Sequence, residues 1–549
     1  MTDAPDRASA EHPARGAGGG LRAHQARLVA PENRAVLVAT VVAAIVCAVY
    51  IAVPRMGNDL SAQLARADFA REHPFAMIDF RWFAGVLPYS YSLWTPLVMA
   101  YAGVKLSSAV AMVVSVGLLT RLFVRGAAPH PLLGGLAASV ALGANLIEGR
   151  VTFGIGVAFG LGALLVLAES SAKRRIAAAA LALLAAGASP VAALFLGLCA
   201  VALVLTRRIV DGLALGIAVC VPTVLTSVVF SDPGRQIFGG KEATRDIIIT
   251  LVVVCVVSKP RVRIVGVLGA ALVWGALLFD SPIGSNSSRL SMLFAMPILL
   301  AFLRMPAVLR KWKVPFPALA AVVAVVGYAI QPLILGGTVG GTGRLVTYPS
   351  YFAPVAAEIG ERGPLTGRVE VPELTGHWDA AYLARDVPIA RGWLRQLDTK
   401  LNEKVSYEGL PTAQTFRAFL DRNAVQYVAV ADARGSLRGA REKRLIAAGL
   451  PYLTKVWTSR HWTLYAVQNP VPLVTGPARL DSQQPDRITF TVTTAGTVTV
   501  RVRWSRYLAL SGPAGTCLHR SGLQQVELRD AAPGTYRIAS AFPSGSRTC

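Results

Sequence analysis

The sequence predicts a polytopic α-helical membrane protein whose C-terminal part is an extracytoplasmic region, first α/β and then β-sandwich-like. Three observations lead there. Hydrophobic residues make up 53% of 549 positions, and mean hydropathy is +0.49. They fall in uninterrupted blocks of about 15–20 residues, the length of helix that crosses ~30 Å of hydrocarbon. Beyond Gln331 the blocks stop and short mixed segments take over. Backbone groups in lipid must be satisfied within their own segment, so the blocks are helices and not strands.

Residues 1–33, rich in Ala, Gly, Pro and charge, read as a disordered cytoplasmic tail. They are too long and polar ahead of the first apolar run to form a cleavable signal peptide. The membrane bundle spans 34–333, with helices predicted at 34–54, 106–124, 130–147, 151–169, 176–188, 190–206, 209–230, 245–258, 263–279, 290–304 and 315–333. "GASP", Gly187 to Pro190, separates two of them, because proline ends or kinks a helix. The first outer loop covers 55–105. Its later part, 86–104, carries Tyr89, Tyr91, Trp94 and Tyr101 and reads as an interfacial or re-entrant element.

Lys and Arg outnumber Asp and Glu by 24. The cations cluster beside apolar blocks: Arg121 and Arg125, Lys173 to Arg175, Arg207 and Arg208, Lys259 to Arg263, and Arg304 to Lys313. About eleven crossings with the N-terminus inside place all of these on the cytoplasmic face and the C-terminus outside, in a multi-pass protein of the cytoplasmic (inner) membrane. Nucleic acid is excluded as a partner, since no basic stripe is interleaved with aromatics.

Residues 344–468 mix helical stretches such as "TAQTFRAFLDRN" with strands such as "QYVAVADA". Residues 471–549 alternate with period two between Gly/Pro turns, the pattern of a small β-sandwich or half-barrel. Cys47, Cys199, Cys220 and Cys255 lie in apolar segments and read as small core residues. Cys517 and Cys549 can pair in an oxidising compartment, and their spacing suits no metal site.

The polar groups that could carry chemistry concentrate in the outer loops. "GNDLSAQLARADFAREHP", Gly57 to Pro74, follows the first apolar block directly. As a helix starting near Asp59, it aligns Asp59, Gln63, Arg66 and His73 along one face and turns Asp68 and Glu72 away. One face then offers a carboxylate, an amide, a cation and an imidazole. Equally, Asn58 or Asp59 can simply cap the helix. Asp79 follows as a second carboxylate for the same cavity or a partner for a nearby Arg. Glu148 and Arg150 sit in the turn "NLIEGRVTFGIG", and Asn286 and Arg289 in "DSPIGSNSSRLSMLF". Arg and helix N-termini suit a lipid phosphate at that depth, and an interfacial Arg can also just snorkel to headgroups.

No Walker sequence, GxGxxG or GxSxG opens a soluble catalytic domain, and no His/Cys cluster has metal spacing. The layout resembles the GT-C superfamily of membrane glycosyltransferases: "ND" plus downstream Gln, Arg and His in the first outer loop, many helices and an outer C-terminal domain. "GRVEVPELTGHWDAAYLARDVPIARGWLRQLDTKLN", "IGSNSSRLSMLFAMP" and "EGRVTFGIG" look similar to uncharacterised polytopic proteins of high-GC bacteria labelled 6-pyruvoyl-tetrahydropterin synthase-related. The GT-C resemblance implies a polyprenyl-phosphate sugar as donor substrate, an envelope glycan or glycolipid as acceptor, and no metal or other cofactor. It implies Asp59 as the catalytic base. Asn58, Gln63, Arg66, His73, Asp79, Glu148, Arg150, Asn286 and Arg289 are then substrate-binding candidates. "ND" departs from the acidic pair of such enzymes, leaving the second acidic role to Asp79 or Glu148. The alternative function is a non-catalytic or transport protein handling envelope lipids or glycans.

Overall fold

The computed structural model describes residues 31–230, 234–303, 323–330 and 345–549. The predicted tail up to residue 30, the basic run Arg304 to Lys313 and most of the predicted helix 315–333 lie outside these ranges. Residues 323–330 of that helix are helical.

The bundle is built from α1 (Pro31–Ala52), α4 (Val104–Arg125), α5 (Pro131–Ile147), α6 (Val151–Val166), α7 (Ala172–Ala188) and α8 (Pro190–Leu205). It continues with α9 (Ile209–Val229), α10 (Gly240–Val256), α11 (Pro260–Leu278) and α12 (Arg289–Phe302). Among the described residues, α1, α4, α9 and α11 are each long and apolar enough to cross a membrane, while α5, α6 and α8 are shorter apolar helices. The chain is thus a multi-pass membrane protein by the length and composition of its helices. Outward-facing side chains agree: Leu213, Ile217, Val221 and Val228 of α9 are 52–67% exposed, and Trp274 of α11 is 60% exposed. A water-facing surface rarely carries so continuous an apolar stripe.

Proline sets the break at "GASP". α7 ends at Ala188 and α8 opens on Pro190, whose missing N–H costs nothing at a first helical turn. Carbonyls freed at the end of α7 find donors in the loop: Leu93 N–H donates to Gly187 O at 2.9 Å and Trp94 Nε1 to Leu184 O at 3.2 Å. The stretch 86–104 therefore lies against α7, with α3 (Thr95–Ala102) its α-helical part ahead of Val104, which opens α4.

The two ends of the bundle differ in charge. Arg261 Nε meets Thr206 Oγ1 at 3.0 Å, Arg208 Nη2 donates to Leu167 O, and Arg121 donates to Asn33, so these basic turns share one end. The C-terminal domains sit at the other. The first of these is a four-stranded sheet, β1 (Arg368–Glu370), β2 (Val425–Ala431), β3 (Leu453–Thr458) and β4 (Trp462–Val467). Its order is β1-β2-β4-β3, with β1 parallel to β2 and the other pairs antiparallel. Helix α13 (Pro349–Glu361) precedes this sheet and helices over Asp379–Asp386, Ala413–Arg422 and Leu437–Ala447 accompany it. Eight further strands between Val474 and Ser540 form two antiparallel four-stranded sheets around a core that includes Phe490, Val498, Leu528 and Tyr536. Cys517 and Cys549 are disulfide-bonded, tying the chain end to this unit.

The first outer loop holds the three parts together. After α2 (Leu60–Glu72) the segment 77–87 threads between both C-terminal units. Phe80 N–H donates to Pro485 O at 2.8 Å, Ile389 N–H to Arg81 O at 3.0 Å, and Arg503 N–H to Ala84 O at 2.8 Å. Trp82 is 1% exposed and donates through Nε1 to Ala380 O. Phe80 joins the sandwich core, and Trp82 joins the core beneath the mixed sheet.

Inside the mixed-sheet unit, Arg391 lies between Glu370 and Glu442, bonding the latter at 2.9 Å, and all three are buried. Removing the cation strands two buried carboxylates, which costs about 3–5 kcal/mol. Arg391→Ala should lower the thermal midpoint of the full chain by several degrees. An unchanged midpoint would mean the carboxylates are neutral and independent of Arg391.

Candidate functional site

Two glycines bring the first outer loop onto the α5–α6 turn. Gly57 has φ +99° and Gly149 φ +77°, both in the left-handed region that favours glycine. A Cβ on Gly57 would meet Ile147 O at 2.2 Å, and one on Gly149 would meet Leu60 N at 2.5 Å. The close approach lets Asp59 N–H donate to Glu148 O at 3.0 Å. The start of α2 is thereby fixed against the start of α6. Gly149→Ala should destabilise the protein by about 1–3 kcal/mol through backbone strain, with the steric clash adding to it. Thermal unfolding in detergent reads this, and a wild-type midpoint would show that the turn relaxes freely.

Asp59 precedes α2, yet its side chain makes no capping bond to the helix. Its Oδ2 faces Arg150 Nε at 3.4 Å and Arg289 Nη2 at 3.5 Å instead. Arg150 comes from the residue before α6 and Arg289 opens α12, so three separate segments converge on one carboxylate oxygen. Both distances exceed the ~2.7–2.9 Å of a tight charge-assisted bond. Arg289 is also held by the Tyr91 hydroxyl at 3.4 Å and by the face of Phe153, 5.2 Å from the ring centre. Arg66, one helical face along α2, lies 4.9 Å above the Tyr91 ring. Gln63 is buried on the same helix, and among the described residues no donor reaches its Oε1.

Glu148 supplies a second carboxylate beside this group, 3.4 Å from Asn58 Nδ2. Burial pushes its carboxyl above the usual 4.5; Arg150 opposes the rise, Asp59 reinforces it, and Asn58 and Arg289 oppose it more weakly. Asn58 O in turn accepts from Trp393 Nε1 at 2.8 Å, so the C-terminal unit roofs the site.

The structure gathers Asn58, Asp59, Gln63, Arg66, Glu148, Arg150 and Arg289 around the head of α2. It does not bring His73 or Asp79 there. α2 ends at Glu72, so His73 is at the far end of a 13-residue helix and faces Asp486 at 3.7 Å. Asp79 is bound by Arg81 through Nε and Nη2, at 3.0–3.1 and 2.7 Å, and Arg81 also donates to Ala65 O. That pair is a brace for α2. Asn286 is buried in a 3₁₀ turn, Gly284–Ser288, just ahead of Arg289. Asp68 points outward to Arg385, as the helical spacing requires.

Three neighbours were not assigned to the site from sequence: Tyr91, Trp393 and Asp246. Tyr91 reads there as an interfacial aromatic. Asp246 is fully buried in α10, 3.9 Å from Arg245. An acidic residue in "TRDIIITLVVV" is the signal that marks it, since buried carboxylates in apolar helices are costly. Among the described residues, the group with metal-ligand proximity is Cys517, His519 and Cys549, remote in sequence from this site and already disulfide-bonded.

No family model matches the chain, and no curated protein does. Among solved structures, it aligns with the single-particle cryo-EM structure of arabinofuranosyltransferase AftD from Mycobacteria, at 13% identity and a TM-score of 0.44. The alignment covers 93% of this chain and 57% of that one. A mutant form of that enzyme aligns at 14% identity and a TM-score of 0.44, covering 93% and 60%. The chain thus spans under two-thirds of the length of either structure. A likeness at this level leaves function to the geometry of the site.

The Glu148 shift has a checkable sign. A carboxyl raised in the folded state adds stability below its ordinary value, and that contribution is lost as pH rises through the folded value. Glu148→Gln is neutral throughout and escapes the loss. Across about pH 4 to 7 the wild-type midpoint should fall relative to that of Glu148→Gln. Parallel curves would show that Glu148 is not a buried acid.

Proposed function

We propose that the protein is a membrane glycosyltransferase of the cell envelope, taking its sugar from a polyprenyl-phosphate donor at the outer face of the cytoplasmic membrane. The observation that carries this reading is the Asp59 carboxylate, uncapped and held loosely between Arg150 and Arg289. The orientation is N-terminus inside and C-terminal domains outside, in keeping with the basic end of the bundle facing the cytoplasm.

The chemistry follows from that arrangement. A donor phosphate entering beside Asp59 draws the two guanidinium groups to its oxygens, where bidentate geometry suits them. Asp59 is then released to accept the proton of an acceptor hydroxyl. The hydroxyl oxygen bonds to the anomeric carbon as the bond from that carbon to the phosphate oxygen breaks. The electron pair stays on the departing lipid phosphate, whose growing charge Arg150 and Arg289 stabilise. Glu148, with its carboxyl shifted toward the neutral form, serves as a hydrogen-bond donor within the site. It fills the second acidic position, since Asp79 is engaged by Arg81. The lipid-linked sugar is the substrate, and the residues ask for no metal.

The test is complementation of a deletion strain. Asp59→Asn and Asp59→Ala should both lose the envelope glycan at normal protein level, with turnover down about 100- to 10,000-fold, as for removal of a general base. Arg289→Lys should retain protein and lose most activity, because a point charge does not replace a planar fork. Full complementation by both Asp59 variants would sink the catalytic reading and leave a lipid- or glycan-handling protein without chemistry.

A further inference from the structure

Among the described residues, the bundle leaves a gap between α4, α6, α8 and α12. A cavity of about 620 Å³ runs there, walled by apolar side chains such as Leu119, Val157, Leu196 and Phe294. One end lies at Leu290 and Ser291, just past Arg289, and the other lies beside Arg125, Lys259 and Arg261. Its volume falls within the range of roughly 300–1,000 Å³ typical of small-molecule sites.

The two ends are chemically unlike. At the basic end, Lys259 Nζ stands 5.9 Å from the Phe302 ring and Arg261 Nε 3.0 Å from Thr206 Oγ1. Among the described residues, the acidic groups paired with the arginines of this end are Glu169 and Asp211. Glu169 faces both Arg125 and Arg174, and Asp211 faces both Arg175 and Arg208. Two carboxylates shared by four arginines leave a positive excess, to which Lys259 and Arg261 add.

We infer that this cavity holds an acyl chain of one anionic phospholipid, drawn from the leaflet opposite the C-terminal domains, with its phosphate on Arg125, Lys259 and Arg261. A zwitterionic lipid gains the same contact with the apolar wall but less from the excess charge. A polyprenyl phosphate anchored near Arg289 would leave the positive excess at the basic end without an anion. Glycine makes the room: a Cβ at Gly160 meets nothing nearer than 3.9 Å, so the wall of α6 stands back from Leu196. The inference is independent of the glycosyltransferase reading, because it concerns the far end of the bundle.

The full chain in nanodiscs of phosphatidylcholine with a small fraction of phosphatidylglycerol, released for native mass spectrometry, provides the test. The wild type should retain one phosphatidylglycerol in preference to phosphatidylcholine. Combined Arg125→Ala, Lys259→Ala and Arg261→Ala should weaken retention about 100-fold, from about 1 kcal/mol per cation. Gly160→Leu keeps the cations and fills the cavity, and should weaken retention at least about tenfold by removing the chain's contacts. Gly160→Ala should behave as wild type, and Leu196→Phe gives a second filler should Gly160→Leu fail to fold. Equal retention of both lipids, a polyprenyl phosphate as the retained species, or fillers without effect would each overturn the inference.

Discussion

Everything at the head of α2 depends on two stretches of backbone touching where a side chain would not fit. Gly57 lies on the carbonyl of Ile147, and Gly149 lies on the amide of Leu60. Without that contact, Asp59 could not bond Glu148 through its backbone while its carboxylate reaches across to Arg150 and Arg289. The bond is a modest one by itself, worth about 1 kcal/mol. Its importance is positional, because it sets the first outer loop in register with two bundle helices. A carboxylate and two cations are then arranged by backbone, and side-chain rotamers need only follow.

The C-terminal domains complete what the glycines begin. Ser61 Oγ donates to Gly376 O at 2.6 Å, and Trp393 reaches Asn58 O, so the roof of the site is hydrogen-bonded to α2 itself. Gly392 packs on Trp82 so closely that a Cβ would meet its ring at 2.6 Å. A domain joined this intimately shares a core with the membrane loop: Leu60, Trp82, Val151, Val369 and Trp462 belong to one buried cluster. Relative motion of the roof would expose that cluster to water. The geometry favours a fixed wall over a swinging one.

The sequence made the bundle legible because hydropathy and proline report directly on helices that face lipid. Helical spacing placed Asp59, Gln63 and Arg66 on one face and Asp68 on the other, which holds in the structure. The same spacing put His73 with them, but periodicity gives an angle and not a distance: His73 caps the far end of the 13-residue helix, about 20 Å along the axis from Asp59. Asp79 and Arg81 open the turn that the bridge between Asp79 and Val86 closes, where an Asp side chain bonds the backbone two residues on: Arg81 N–H donates to Asp79 Oδ1 at 3.0 Å. That pairing was readable, and it makes Asp79 a brace. Trp393 was beyond reach, because it lies 335 residues from its partner Asn58 and nothing local marks the contact. Asp246 is a single buried carboxylate inside an apolar helix, away from the outer loops where the other polar groups gather.

The segment 77–87 is a peg shared by three bodies, and this bears on how the protein is made. Phe80 must wait for Pro485 and Arg81 for Ile389, both far downstream. At about 5–20 residues per second of synthesis, the loop stands without its partners for roughly 20–80 s. During that interval Phe80, Trp82 and Phe83 are bare aromatic side chains at the membrane surface. The interfacial preference of aromatic rings supplies a temporary resting place there. A loop that later becomes the shared core of two domains is thus one that the bilayer itself can chaperone.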